Sequence, residues 1–152
     1  MIFRHISNFC LQFDPLSGVL LLEWVALSNA LYLRSSAEQL LALLRKREVR
    51  HLVLDMNSVL DLSIADQLWL GDHWMPGLVA LQLERLVLVI DSRRQHNQLA
   101  IDALHDLVQP AIRFSSHYFT DVASAMDWLS DGSPQLPNLE AEWAARHQLT
   151  PE

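Results

Sequence analysis

The residues best suited to chemistry are acidic. Asp55, Asp61, Asp66, Asp72 and His73 form the densest group of potential ligands and acid/base side chains, and Asp91 ends a second apolar run as Asp55 ends the first. Oxygen ligands that converge could hold a hard cation. A strand-end aspartate beside a metal could also accept a phosphoryl group, and ligands of α/β sheets bind outside the carboxyl ends of the strands. The surroundings fit this poorly. Asp55-Met56-Asn57 lacks a second acid two residues on, and no later strand supplies the basic residue of such sites. Turn, cap and surface roles explain the aspartates better, and no metal or cofactor is expected.

Other chemistries fail on spacing. None of the seven histidines falls in an HxH or HExxH pattern, and His73, His96, His105 and His117 sit on different predicted elements. His51 opens a strand and is expected only to complete local hydrogen bonds. There is no GxSxG elbow, and the lone Cys10 lies in an early strand far from any base. The glycines stand singly at 18, 71, 77 and 132, so no loop can cradle a nucleotide phosphate. Asp91-Ser92-Arg93-Arg94-Gln95, at a strand-to-helix turn, offers arginines that could hold an anion. No catalytic residue is assigned.

The tryptophans carry more information. Trp69 and Trp74 share a segment with Ile64, Leu68, Leu70 and Met75. A stripe of about 100° covers a sheet, and this segment is apolar well beyond that. It reads as core plus a local cluster, or as an exposed patch for a partner or a second copy. Trp143 is a candidate to cover such a patch in cis, whereas Trp24 and Trp128 read as core.

Charge narrows the partners. The 152-residue chain carries a net charge of −7, with eleven basic residues of which Lys46 is the only lysine. Nucleic-acid binding needs cations to displace counterions, so no nucleic-acid partner is expected. The dense basic run Arg45-Lys46-Arg47, with Arg50 nearby, ends a predicted helix, where cations complement the dipole. A nucleic-acid or anionic-lipid patch is the lesser alternative. The chain start lacks a signal-peptide core, and the apolar stretch Val19 to Leu33 is too short to span a bilayer and is interrupted by Glu23. Membrane insertion is not expected. One cysteine permits a reducing compartment, so a cytoplasmic location is expected.

These residues must be positioned by elements that the apolar pattern predicts. Asn8 to Asp14 and Val19 to Ala26 form an antiparallel hairpin around the turn Asp14-Pro15-Leu16-Ser17-Gly18, with a short strand over Ala30 to Leu33. A helix opens at Ser35 or Ser36, where Glu38 and Gln39 satisfy capping-box spacing, and buries Ala37, Leu40, Leu41 and Leu44. His51 to Asp55 and Leu86 to Asp91 are strands buried on both faces, the usual state of parallel strands. Between them a helix starts near Ser63 and is broken or kinked at Met75-Pro76-Gly77. A helix over Gln95 to Val108, a strand over Arg113 to Phe119, and a helix capped by Thr120 or Asp121 follow. The order implies an α/β fold: a mixed sheet with an N-terminal antiparallel hairpin followed by βαβαβα units, helices packed on the sheet. Residues 1–132 form the expected domain. Residues 133–152 form a C-terminal tail with a short helix around Leu139 to Arg146, left to fray or dock.

Three stretches resemble STAS domains, closest to the free-standing, SpoIIAA-like branch of anti-sigma factor antagonists. They are Leu52-Val53-Leu54-Asp55 through Asp61-Leu62-Ser63; Asp66-Gln67-Leu68-Trp69 with Trp74-Met75-Pro76; and Tyr118-Phe119-Thr120-Asp121 with Ala125-Met126-Asp127-Trp128-Leu129. Together they span roughly residues 9–130. The resemblance implies a bacterial, non-catalytic signalling module that binds a protein partner or a second copy through Asp61, Ser63, Asp66, Trp69, His73 and Trp74. Family members that switch by phosphorylation carry a serine directly after the aspartate at the helix start. With that aspartate on Asp61, Leu62 takes the serine's place, which implies a module without the serine phospho-switch. Ser58 and Ser63 remain as candidate phosphoacceptors, although Ser63 is better explained as a helix cap. Two alternatives stay open: a carrier of a small apolar or lipid-like ligand, and a metal-assisted hydrolase using Asp55, Asp61 and Asp91.

Overall fold

A computed structural model describes residues 1–3, 6, 9–24, 33–55, 64–81, 83–89, 115–131 and 134–146. Its six strands lie side by side in chain order: β1 (Ile2–Phe3), β2 (Phe9–Asp14), β3 (Val19–Trp24), β4 (His51–Asp55), β5 (Arg85–Val89) and β6 (Ser115–Phe119). The first three pair antiparallel, and β3 through β6 run parallel. The α/β class, the N-terminal hairpin and the mixed sheet therefore hold. The two-residue β1 was not anticipated, because no periodicity exists over so short a run.

Alternation sorts the side chains between two cores. Leu20, Leu22, Leu52, Leu86 and Leu88 pack on one face of the sheet, while Val19, Leu21, Val53, Val87 and Val89 pack on the other. A period of two sends successive residues to opposite faces, so near-continuous apolar runs mark strands covered on both sides. Leu52, Val53 and Val87 are fully buried.

The leucine face is covered by α1 (Leu33–Lys46) and by a distorted helix built from α2 (Ile64–Trp69), a π-helical turn (Leu70–Trp74) and α3 (Met75–Val79). The predicted α1 stripe of Ala37, Leu40, Leu41 and Leu44 is buried, together with Leu43. The helix begins at Leu33, however, so Leu33 is not in a strand and neither Ser35 nor Ser36 is its cap. Ser35 Oγ instead accepts a 3.2 Å hydrogen bond from Gln39 Nε2, one turn on, and Ser36 is buried. A polar residue three places after a serine suits a helix interior as well as a cap, which misplaced the start. Residues 25–32, 56–63 and 90–114 lie outside the described residues. The expected strand over Ala30 to Tyr32, the helix over Gln95 to Val108, and Ser58, Asp61, Ser63, Asp91 and Arg93 fall there.

The break expected at Pro76 occurs one turn earlier. In the π turn the Met75 N–H donates to the Leu70 carbonyl, and the helix restarts with Pro76 in its first turn. Proline has no N–H and clashes with the carbonyl four residues back, and a widened turn before it relieves both demands.

The valine face is covered by α4 (Val122–Ser130) and α5 (Leu136–Ala144). Asp121 caps α4, accepting from the Ser124 N–H at 2.7 Å. Helix α5 is fastened to the sheet at both ends. Gln12 Nε2 donates to the Leu139 carbonyl at 2.8 Å and to Glu142 at 2.9 Å, and Arg146 pairs with Glu23. Among the described residues no helix is long and apolar enough to cross a membrane.

Candidate functional site

The predicted contact residues that the structure describes lie along α2 and the π turn. Trp74 is not on their surface. It is buried, and its indole Nε1 donates to the Ala37 carbonyl at 2.8 Å, which fastens the π turn to α1. The expectation of a surface contact at Trp74 is thereby corrected: a helix apolar on every side leaves the buried stripe undefined until its neighbours are placed. Trp69 is half-buried against the same core. The Arg34 guanidinium lies 5.6 Å from its ring centroid, and the His73 ring lies 6.2 Å away. Arg34 Nε also reaches Asp66 at 3.4 Å, so one arginine from α1 holds two residues of α2. Such an exposed pair contributes at most about 1 kcal/mol, and its main effect is to fix the Trp69 ring.

Beside these, Leu68 is 59% exposed, and Asp72 and His73 are also exposed. Leu68 was not among the predicted contact residues. Its only sequence signal was the apolar excess of the segment. The face formed by Leu68, Trp69, Asp66, Asp72 and His73 is thus an apolar centre within a polar rim, carried on a helix anchored from below by Trp74.

Two other tryptophans, Trp143 and Trp128, depart from expectation. Trp143 belongs to the valine-face core and so covers the side of the sheet opposite to Trp69. Trp128 is 39% exposed rather than core. It lies between the His117 ring at 4.4 Å, the Phe119 ring at 5.5 Å and the Arg85 guanidinium at 4.9 Å. Through Trp128, α4 thus packs on β5 and β6, the last two strands of the described sheet.

A second concavity lies under α5 on the valine face. A cavity of about 420 Å³ is lined by Leu21, Asp55, Met126, Leu139, Trp143 and Arg146. This places Asp55 at the carboxyl end of its strand, as the strand polarity requires. Arg146 makes two contacts with the Glu23 carboxylate, one of them Nε to Oε1 at 3.0 Å, and donates from Nη1 to the Trp143 carbonyl at 2.6 Å. Among the described residues no three His, Cys, Asp or Glu side chains gather to hold a metal ion.

Two shifted carboxylates are structural. Burial alone would raise Glu142, but the N-terminal ammonium 2.6 Å away and the Gln12 amide hold it below the ordinary range. The Ser124 backbone N–H and hydroxyl hold Asp121 low. Burial pushes His51 down, partly opposed by Glu84 at 3.5 Å, and its Nδ1 is buried without a hydrogen-bond partner among the described residues. Comparison of the chain with family models, with curated proteins and with solved structures finds no match.

Proposed function

We propose that the chain is a STAS-like, non-catalytic binding module that engages a protein partner, or a second copy of itself, through the outer face of α2 and the π turn. The observation that carries this reading is Leu68, 59% exposed beside a Trp69 ring held by Arg34. Interface centres favour aromatic and arginine side chains packed around apolar contacts, with charge at the rim. Asp66, Asp72 and His73 provide that rim. Three carboxylates have structural work that suits the same reading: Glu23 and Glu142 fasten α5, and Asp121 caps α4. Leu62 stands where a switching serine would be, so regulation by phosphate there is not part of the proposal. A cytoplasmic setting suits the buried Cys10, the one cysteine of the sequence.

The test is substitution at the face. Leu68→Asp and Trp69→Ala should abolish self-association in sedimentation analysis, or capture of the native partner, while the far-ultraviolet spectrum and unfolding midpoint stay near wild type. Association that persists in both folded variants removes the face from consideration.

A second reading has its own observation. The cavity of about 420 Å³ under α5 falls within the size range of small-molecule sites, roughly 300–1,000 Å³. Leu21, Met126, Leu139 and Trp143 would seat a small apolar ligand. Native mass spectrometry of freshly purified protein would show a retained ligand, and a clean mass of the bare chain counts against it.

A further inference from the structure

A further concavity, separate from the cavity under α5, lies at the opposite end of the sheet from Asp55. A cleft of about 900 Å³ opens between the end of α1, the β2–β3 turn and the segment after α3. Its rim carries Arg45, Lys46, Arg47 and Arg50, against the single carboxylate Glu48. All four cations are exposed. None forms an ion pair with a carboxylate of the described residues. The chain as a whole carries a net charge of −7, so the cleft is a local reversal of sign. Apolar groups from Phe13, Leu44, Val49 and Leu81 also line the cleft.

Three of these cations have defined neighbours. Arg50 Nη2 donates to the Ser17 carbonyl at 2.9 Å, and its side chain lies over Gly18. Gly18 has φ +71°, and a Cβ there would sit 2.7 Å from Arg50 Nε. Glycine thus serves both the turn and the arginine above it. Arg45 lies similarly over Gly77, with Nη2 at 3.4 Å from where a Cβ would be. Arg47 stacks on Phe3 at 5.3 Å. Complementing the α1 dipole accounts for Arg45 and Lys46 in the last turn. It does not account for Arg50, which is anchored on the β2–β3 turn beyond the helix.

We propose that this cleft binds a phosphate-bearing small molecule. The anionic group engages Arg45, Lys46 and Arg50, and an apolar body rests on the half-buried Leu81 and on the edges that the buried Phe13, Leu44 and Val49 show to the cleft. Planar guanidinium groups suit the fork geometry of phosphate oxygens, and Lys46 adds a mobile point charge. The apolar floor distinguishes this ligand from bare phosphate, which uses only the rim. The site is independent of the α2 face.

Isothermal titration of the full chain with phenyl phosphate, pyrophosphate and phenol tests it. Phenyl phosphate and pyrophosphate should each bind saturably at one site, and phenol should not. Lys46→Glu and Arg45→Ala, neither of which removes a packing contact of the core, should weaken both roughly tenfold or more. Arg85→Ala, a cation outside the cleft that lies over Trp128, should leave both unchanged. Absence of saturable binding, or equal loss in Arg85→Ala, overturns the proposal. So does binding of phosphatidylserine vesicles that excess phenyl phosphate cannot displace, since that would make the patch a membrane surface.

Discussion

The Trp74 indole and the Ala37 carbonyl are joined by a buried 2.8 Å hydrogen bond that ties the π turn to α1. Trp74→Phe keeps an aromatic ring but loses the donor, and should cost about 1–2 kcal/mol by urea unfolding. Trp74→Ala also leaves a void and should cost about 3–5 kcal/mol. Leu68→Asp, at an exposed position, should fall within about 0.5 kcal/mol of wild type. A comparable loss in Leu68→Asp would mean that Leu68 is part of the core.

Arg146 and Glu23 fasten the end of α5 to β3, and both side chains are mostly buried, at 17% and 11% exposure. Removing one partner strands the other, so Arg146→Ala should destabilise by about 3 kcal/mol. Pairing Arg146→Met with Glu23→Leu should restore part of that loss, because no buried charge is left unpaired. A double-mutant cycle measures the coupling. Amide exchange along α5 should rise in Arg146→Ala without rising in α1.

His51 makes stability depend on pH. Burial, with Arg85 and Arg50 nearby, holds its folded pKa below 6.5, and Glu84 opposes this only in part. The unfolded chain therefore takes up the proton first as pH falls. The stabilisation is complete above the unfolded value and is lost as pH drops from there through the folded pKa. His51→Gln should flatten the unfolding free energy over that window relative to wild type. Identical pH slopes in the two proteins would exclude His51 as the cause. The depressed Asp121 and Glu142 act further down, with their contribution lost only in acid.

Gly18 and Gly77 are required for different reasons. Gly18→Ala places a Cβ at positive φ and against Arg50, and should cost about 1–2 kcal/mol. At Gly77 a Cβ would come within 2.4 Å of Leu41 Cδ2, where α3 crosses α1. Gly77→Ala should cost about 1–3 kcal/mol through overpacking, unless the Leu41 rotamer yields. Adding Leu41→Ala should remove much of that clash while opening space of its own. Thermal unfolding of the single and double variants separates the two cases.

Local chemistry alone determined much of this protein. The runs His51 to Asp55 and Leu86 to Val89 declared themselves as strands covered on both sides because every position is apolar or terminal. Asp14 to Gly18 declared a turn, and Thr120-Asp121 declared a helix start, which the structure assigns to Asp121. The tertiary structure decided what depends on distant neighbours. Trp69 and Trp74 are equivalent by composition, and only the approach of α1 buries one and leaves the other at the surface. The side of the sheet that Trp143 covers was fixed by Gln12 and Glu23, more than a hundred residues away in the chain. The cleft at Arg45, Lys46 and Arg50 exists because the β2–β3 turn folds back beside the end of α1. Periodicity reports which residues share a face, but the surface that meets that face is set by long-range packing.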